Sequence, residues 1–349
     1  MLNCEYVGNL HVHSWYSDGT GSIYQIAQAA RETSIDFVGI NDHHTLGAKQ
    51  DGLEGWHEDV LILVGMENNH KYNHYISYGV ELVVPDNTEH PQEVIDAVNK
   101  QGGIGFLAHP FEKGSRFVFG GHAYTWEDWQ ITGFTGISIW NYSSQWRDGI
   151  SNIPVALWQA YVAPHRAITG PCPRALAKLD QLAQKRKVVA IGATDAHAVN
   201  VQYGPFKRCI FPYEFLFRTV NTHVLLDGEL EQRLVLDKDR IYKALGNGQC
   251  FVAFDYYQSA RGFRYWAEKG RELANMGEER SYEPGWRLKA VLPFKGQISL
   301  IRNGEKVFQD YGKEMNYRVK ESGAYRVEVT MKNKLMIKPW IYSNYIYFR

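Results

Sequence analysis

The chain has 349 residues, of which 44% are hydrophobic and 22% are charged. This composition is ordinary for a globular protein and excludes a largely disordered chain. Basic and acidic residues number 38 each. The zero balance gives no electrostatic reason to expect nucleic acid or an anionic membrane as a partner. The length is too great for one ordinary core and fits one large α/β barrel with a smaller second domain.

Cysteine usage and hydropathy indicate the compartment. The four cysteines lie far apart and form no C-x-x-C pair, which argues against a disulfide framework and a Cys-rich zinc site. The N-terminus shows no basic patch followed by an apolar run, and the strongest apolar run, residues 60–64, has strand length. We therefore expect a cytoplasmic protein that takes a small-molecule substrate, with neither nucleic acid nor membrane as a partner. The oligomeric state is left open.

Short strands alternate with helices over the first 250 residues. The strand pattern covers residues 7–13, 36–40, 60–64, 75–79, 103–107, 136–140 and 188–191. Helices are expected at 22–33, capped by Ser22, at 91–102, opened by Pro91, and at 174–187 and 240–247. Repeated strand–helix units predict a parallel sheet, and this many of them predict a barrel over residues 1–250.

The pattern changes near residue 250. Alternating strands without long helices follow at 251–254, 287–292, 297–302, 325–330 and 336–341, and Asn303-Gly304 is a hairpin signal. Several short strands separated by turns predict a β-sandwich domain over residues 251–349.

Histidine and acidic residues fall at the C-terminal ends of successive predicted strands. His11 and His13 are two apart on one strand, so both side chains point the same way, and Asp195 and His197 repeat this spacing. A single histidine in a strand is usually a core or surface residue, but strand ends of a parallel barrel converge on one rim. Imidazole with carboxylate suits Mn, Fe or Zn. The candidate ligands found in this way are His11, His13, Asp18, His43, Glu67, His109, Asp195 and His197.

The motifs N-L-H-V-H-S-x-x-S-D-G, N-D-H-H, G-M-E, A-H-P and G-A-T-D-A-H, spread in this order over residues 5–250, resemble the PHP (polymerase and histidinol phosphatase) family. The C-terminal sandwich and Ile139-Trp140-Asn141 resemble its CehA/McbA subgroup. The resemblance implies a distorted (β/α)7 barrel and a trinuclear centre in which Glu67 bridges two ions. It adds His74, which spacing alone does not separate from His70.

By the family pattern, the three metals would be held in turn by His11, His13, Glu67 and Asp195; by Glu67, His74 and His109; and by Asp18, His43 and His197. Two positions depart from many relatives, which have Asp where this chain has His44 and a second His where it has Asp18. The residues that transfer protons at the third metal could therefore differ from those of relatives. Three roles are open for His44: an added acid, a partner that supports a ligand, or a solvent-facing residue.

The expected cofactors are two or three divalent ions (Mn, Fe or Zn), and the expected nucleophile is a metal-bound hydroxide. Asp195 would also accept a proton, and His197 or His44 would assist the leaving group. Asn41 and Asp42 would orient His43. Three aromatic residues are either pocket walls or core residues: Trp140, Tyr142 and Trp146. Three basic residues are either phosphate contacts or plain surface charges: Lys113, Arg116 and Arg147. The candidate substrate contacts are Lys113, Arg116, Asn141 and Arg147.

Three functions fit this pattern. The first is hydrolysis of a phosphate monoester or diester, because multinuclear centres suit displacement at phosphorus. The second is hydrolysis of a carbamate, amide or carboxyl ester, which the same ligands serve and which a lack of clear phosphate-binding cations favours. The third is a metal-stabilised binding module without activity, although the complete ligand set argues against it. Zero net charge and the lack of a basic stripe weigh against a nuclease.

Overall fold

The computed structural model describes residues 4–203, 206–333 and 336–349, and its fold is mixed α/β. Its helices are α1 (Ile23–Glu32), α2 (Gly47–Gln50), α3 (Pro91–Lys100), α4 (Tyr142–Asp148), α5 (Ile153–Tyr161), α6 (Pro173–Ala183), α7 (Tyr213–Leu216) and α8 (Leu234–Gly246), with short 3₁₀ helices at Phe119–Gly121 and Pro164–Ala167. The strands up to residue 254 are β1 (Cys4–Val12), β2 (Phe37–Ile40), β3 (Gly55–His57), β4 (Val60–Val64), β5 (Met66–Asn68), β6 (Tyr75–Tyr78), β7 (Ile104–Leu107), β8 (Gly136–Asn141), β9 (Val189–Ala193), β10 (Val199–Tyr203), β11 (Phe206–Ile210), β12 (Val220–Leu226) and β13 (Cys250–Phe254). The later strands are β14 (Arg264–Lys269), β15 (Glu272–Asn275), β16 (Glu279–Arg280), β17 (Arg287–Arg302), β18 (Glu305–Arg318), β19 (Gly323–Asn333), β20 (Met336–Ser343) and β21 (Ile346–Phe348).

Local sequence explains the first helix and the central strand. The Ser22 side chain accepts from the Gln25 backbone N–H while the Gln25 side chain accepts from the Ser22 backbone N–H, a capping box that fixes where α1 begins. The apolar positions Ile23, Ile26 and Ala30 fall on one side of α1 and are buried. All five apolar residues of β4 are buried, as expected of a strand covered on both faces.

Two sheets carry the first 254 residues. In the larger sheet β1, β2 and β4 run parallel, whereas β12 pairs antiparallel with β1 and β13 pairs antiparallel with β12. The smaller sheet has the order β5-β6-β7-β8-β9, and its β7, β8 and β9 are parallel. Strands β10 and β11 form a separate hairpin.

The described ladders do not show the expected (β/α)7 barrel, because the two sheets are open. They touch through two isolated parallel bridges, Val12 with Ala196 and His43 with Glu67. Both bridges lie beside the C-terminal ends of strands that carry candidate ligands. The two sheets are therefore joined at the end of the fold where the histidines lie.

The C-terminal strands continue the larger sheet, because β13 pairs with β20 as well as with β12. Strand β17 is continuous where the sequence predicted two strands, and its pairing with β18 shifts register between Val291 and Gly296. Asn303 and Gly304 form the expected turn, with φ of 51° and 91°. These pairings do not show a separate sandwich, and the division at residue 250 stays a prediction.

A buried ion pair joins helix α6 to the C-terminal strands. Arg326 on β19 donates from Nε and Nη2 to the two carboxylate oxygens of Asp180, each at 2.8 Å. Tyr345 also donates to Asp180 Oδ1 at 2.7 Å, and the Arg326 side chain is 4% exposed. Because a buried charge is costly without a partner, this pair ties the two regions together.

Within the described part of the chain, no helix combines the length and the apolar character needed to cross a membrane. The four cysteines are free thiols in the structure.

Candidate metal centre

The structure brings the nine candidate ligands together in three groups at the strand ends. His11 lies in β1 and His13 follows it, and their ring centroids are 5.0 Å apart, so the two-residue spacing does place both rings on one side. Within each group one nitrogen or oxygen from every member lies within 4.8 Å of the others. The groups are His11, His13, Glu67 and Asp195; Glu67, His74 and His109; and His13, Asp18, His43 and His197.

The first group surrounds a point between two carboxylates. His11 Nε2 lies 3.0 Å from Glu67 Oε2 and 3.4 Å from Asp195 Oδ1. His13 Nε2 lies 3.3 Å from the same two oxygens. Both rings and Glu67 are buried, and the Asp195 side chain is 14% exposed, so the four side chains form a largely enclosed set of nitrogen and oxygen donors.

Glu67 is shared between the first and second groups. Its Oε2 faces His11 and His13, whereas its Oε1 lies 2.8 Å from His74 Nδ1 and 3.4 Å from His109 Nε2. A carboxylate that presents one oxygen to each of two donor sets has the arrangement expected of a bridging ligand. His74, which the family resemblance chose over His70, is the one at this position.

The third group lies toward solvent. Asp18 is 55% exposed, and its Oδ2 lies 3.3 Å from His197 Nε2 and 3.7 Å from His43 Nε2. His13 joins this group through Nδ1, which is 3.4 Å from Asp18 Oδ1. The family pattern did not place His13 here, and its ring therefore lies between the buried and the exposed groups.

The charged neighbours set the protonation of the carboxylates. Burial acts to raise the pKa of Glu67, but the charges of His11 and His74 outweigh it and hold that pKa well below its usual value. Burial is likewise outweighed at Asp195 by His11 and His13, which hold its pKa well below the usual range. Both carboxylates are therefore ionised at neutral pH and can receive a cation.

The pKa values of the histidines in the cluster are shifted in both directions. Burial and repulsion from His13 and His74, only partly opposed by Glu67, lower the pKa of His43 to about 4. At His109 burial is outweighed by the hydrogen bond with Glu67 and the charge of Glu112, and the pKa rises to about 9. His43 is thus neutral at pH 7 and offers a lone pair to a metal.

Several imidazole nitrogens in the cluster are buried and have no hydrogen-bond partner among the described residues. They are His11 Nδ1, both ring nitrogens of His13, His43 Nδ1 and His74 Nε2. A buried polar atom without a partner costs about 1–3 kcal/mol, and a cation would remove that cost by accepting the lone pair. The donor set therefore fits divalent metal ions.

His223 shows what a buried histidine looks like when it is not a ligand. Its Nδ1 lies 2.8 Å from Glu5 Oε1 and its Nε2 lies 2.9 Å from Asp255 Oδ2. Burial lowers its pKa, but the two carboxylates outweigh burial and raise it to about 9. Both ring nitrogens are occupied, so this residue is part of a structural ion network.

Positive backbone φ marks two candidate ligands. His109 has φ of 26° and Asp195 has φ of 56°. Non-glycine residues in this region cost about 1–3 kcal/mol and are enriched at functional sites. At Asp195 the Ser143 hydroxyl donates to the carbonyls of Thr194 and Asp195 at 2.8 and 2.9 Å, which holds the strained turn.

The four predicted substrate contacts differ in their exposure to solvent and in their distance from the candidate ligands. Asn141 caps α4 through Oδ1, and its amide lies 3.4 Å from Asp195 Oδ2. Lys113 and Arg116 are exposed. The Arg147 side chain is only 11% exposed, and its Nη1 lies 2.7 Å from Glu112 Oε1, so a carboxylate of this chain binds the cation that was a candidate contact for phosphate.

Other supporting residues also differ from expectation. Asp42 accepts from the backbone and hydroxyl of Ser14 at 2.7 and 2.6 Å, so it holds the loop after β1 rather than His43. His44 pairs with Asp86 at 2.7 Å and lies outside the three groups. Asn41 is a partner of Tyr78. The three aromatic candidates are all buried, which is expected of core residues; they are Trp140, Tyr142 and Trp146.

Glu112 is a supporting residue that the sequence did not indicate. It is 4% exposed, its Oε2 lies 3.4 Å from His109 Nδ1, and Ser144 donates to the same oxygen at 2.9 Å. Its position three residues after His109 is a weak signal, because most glutamates at such spacing are solvated. Together with the Tyr124 carbonyl, 3.2 Å from His109 Nδ1, it fixes the ring so that Nε2 faces Glu67.

We expect Glu112→Gln to weaken metal binding at the group containing His109 by about 10–100-fold, the usual effect of losing an outer partner of a metal ligand. Competition with a chromogenic chelator measures this affinity. The exposed Glu127→Gln is the matched control and should leave it unchanged. Equal affinity in the Glu112 variant and the wild type would exclude the positioning role.

Known proteins were compared with this chain at the level of sequence and of fold. No protein-family model matches it, and neither does any curated protein. Among solved structures, a two-domain protein from Bacteroides vulgatus, described as containing a predicted PHP-like metal-dependent phosphoesterase, is 14% identical, with 98% of this chain and 95% of that chain covered and a TM-score of 0.47.

Two further structures are similar over shorter regions. PsfC from Pseudomonas syringae is 14% identical over 67% of this chain and 87% of its own, with a TM-score of 0.40. An amidohydrolase from Chromobacterium violaceum is 13% identical over 59% of this chain and 92% of its own, with a TM-score of 0.33.

Proposed function

We propose that this chain is a metal-dependent hydrolase whose centre holds two or three divalent ions. The observation that carries the proposal is Glu67, which presents one carboxylate oxygen to each of two buried histidine groups. Bound ions of Mn, Fe or Zn would supply a water molecule of lowered pKa and stabilise negative charge that develops on the substrate. The trinuclear count, the (β/α)7 barrel, the C-terminal sandwich domain and the CehA/McbA subgroup are parts of this proposal.

Side chains of the chain would transfer protons, assist the leaving group and contact the substrate. Asp195 belongs to the first group and also faces the Asn141 amide, and it would accept a proton from the attacking water. His197 lies beside the exposed Asp18, where a leaving group would depart. His44 would act only indirectly, since its ring is paired with Asp86. Asn141 and the exposed Lys113 and Arg116 would contact substrate.

The substrate is proposed to be a phosphate monoester or diester, because several adjacent cations suit in-line displacement at phosphorus. The alternative is a carbamate, amide or carboxyl ester. The observation that favours the alternative is that Arg147 is held by Glu112 and does not stand ready for a phosphate. A small-molecule substrate and a cytoplasmic location, which suits the free thiols, complete the proposal.

A hydrolysis panel on Mn- and Zn-loaded protein tests the proposed reaction. The substrates are nitrophenyl phosphate, bis-nitrophenyl phosphate, a nitrophenyl carboxyl ester and an aryl carbamate, and Asp195→Asn is the blank. We expect turnover of a phosphate substrate that falls at least about 100-fold in the variant, because outer partners of ligands alone account for 10–100-fold. Turnover of only the carbon esters would replace the phosphoesterase by the alternative. Silence on all four substrates, with metal bound, would favour a non-catalytic binding module.

A further inference from the structure

Helix α5 carries an apolar surface that nothing in the described structure covers. Its inner side, Ala156 and Ala160, packs against the core, whereas its outer side is large, apolar and exposed. We call this outer side and the residue after it the α5 surface; it consists of Ile153 (59% exposed), Leu157 (53%), Trp158 (39%), Tyr161 (37%) and Val162 (69%). Exposed apolar clusters of this kind are typical of surfaces that bind a protein, a membrane or a ligand.

Cations stand beside this surface. The Arg166 guanidinium lies 5.3 Å from the Trp158 ring centroid, and the Arg208 guanidinium lies 5.7 Å from that of Tyr161. Both arginines are exposed. The aromatic rings are therefore flanked by positive charges that face solvent, an arrangement that suits the boundary between water and an apolar phase.

Two long stretches of the chain around this region contain no acidic residue, although Asp148 and Glu214 adjoin them and the charge of Glu214 acts on Cys209 in the hairpin. Residues 149–179 and 196–213 lack Asp and Glu altogether, although the whole chain has equal numbers of acidic and basic residues. The charge balance of the whole chain is therefore not the balance within these two segments. The basic residues of the two segments are Arg166, Arg174, Lys178, Lys207 and Arg208.

The α5 surface lies at the same end of the fold as the candidate metal centre. Helices α4 and α5 follow β8, whose last residue, Asn141, contacts Asp195. The β10–β11 hairpin, which carries Arg208, begins two residues after His197. The contact between Arg208 and Tyr161 joins the hairpin to α5.

We propose that the α5 surface docks on an anionic lipid bilayer. Aliphatic Ile153, Leu157 and Val162 would enter the headgroup–acyl boundary, Trp158 and Tyr161 would lie at the headgroup level, and Arg166 and Arg208 would meet lipid phosphates. Long aliphatic side chains favour lipid over a polysaccharide or nucleic acid, which would call for aromatic stacking and polar contacts. Docking needs no metal ion, so it can be tested separately from the hydrolase proposal.

Vesicle sedimentation of the full chain tests this surface, with phosphatidylcholine vesicles prepared with and without phosphatidylglycerol. We expect the protein to sediment with the anionic vesicles, and Leu157→Asp to weaken that binding at least about 10-fold, because one buried leucine is removed and a like charge is added. Arg208→Gln should weaken binding to anionic vesicles by about 5-fold, the expected share of one cation near the membrane.

The matched control is Val235→Asp on α8, where an apolar side chain that is 80% exposed receives the same charge. It should bind as the wild type does, and circular dichroism should be the same for all variants. No sedimentation with either vesicle, or equal binding by Leu157→Asp, would overturn the proposal. A wild-type dimer that Leu157→Asp converts to a monomer, without vesicle binding, would assign the surface to a second copy of the chain.

Discussion

Glu67→Gln is expected to remove metal from two of the three ligand groups and to reduce hydrolysis by more than about 100-fold. The variant keeps the size of the side chain but replaces one of the two oxygens that face His11 and His74 by an amide. Losing only an outer partner of a ligand costs 10–100-fold, so losing a shared ligand should cost more. Elemental analysis of the purified protein, with turnover measured on the same sample, checks both effects.

Glu54→Gln is the control for this experiment. Glu54 is also a buried carboxylate, 6% exposed, but it pairs with Lys49 and Lys238 away from the three groups. Its replacement should change neither metal content nor turnover. If Glu67→Gln retained the metal content of the wild type, Glu67 would not be a bridging ligand.

Asp180→Ala is expected to lower the free energy of unfolding by about 3 kcal/mol, at the lower end of the 3–5 kcal/mol found when one partner of a buried ion pair is removed. Among the described residues the change leaves Glu328, 2.5 Å from Nη1, as the carboxylate partner of Arg326, and it removes the acceptor of the Tyr345 hydroxyl. Urea denaturation followed by circular dichroism gives this energy. Metal content should not change, because Asp180 is outside the three groups.

A double variant separates charge burial from packing. Asp180→Leu with Arg326→Met removes both charges and keeps apolar volume, and should recover much of the lost stability, since an unpaired buried charge costs more than the pair contributes. If the double variant were as unstable as Asp180→Ala, shape rather than the unpaired charge would explain the loss.

Local sequence signals predicted much of the secondary structure. The 60–64 strand, the Ser22 cap of α1 and the Asn303-Gly304 turn are all present, because each depends on a few neighbouring residues. Sheet closure and strand direction depend on contacts between distant segments. The sequence pattern therefore did not show that β12 runs antiparallel to β1 or that β20 joins β13.

The candidate ligands could be found because strand ends and the two-residue spacing bring them together, and His74 needed the family resemblance as well. The roles of the surrounding charges could not be found in this way. Arg147 and Glu112 are far apart in sequence and meet only because α4 returns toward the His109 loop. Likewise, the sequence did not reveal that Asp42 supports Ser14 and Ser17, since an aspartate beside a histidine looks like its partner.

Anomalous diffraction from crystals grown with Mn²⁺ tests the central claim most directly. We expect peaks between His11, His13, Glu67 and Asp195 and between Glu67, His74 and His109, with a third beside Asp18, His43 and His197 if the centre is trinuclear. Peaks in the first two positions alone would establish a dinuclear centre bridged by Glu67. Crystals with Mn²⁺ in the solution and no peak among these nine side chains would contradict the account.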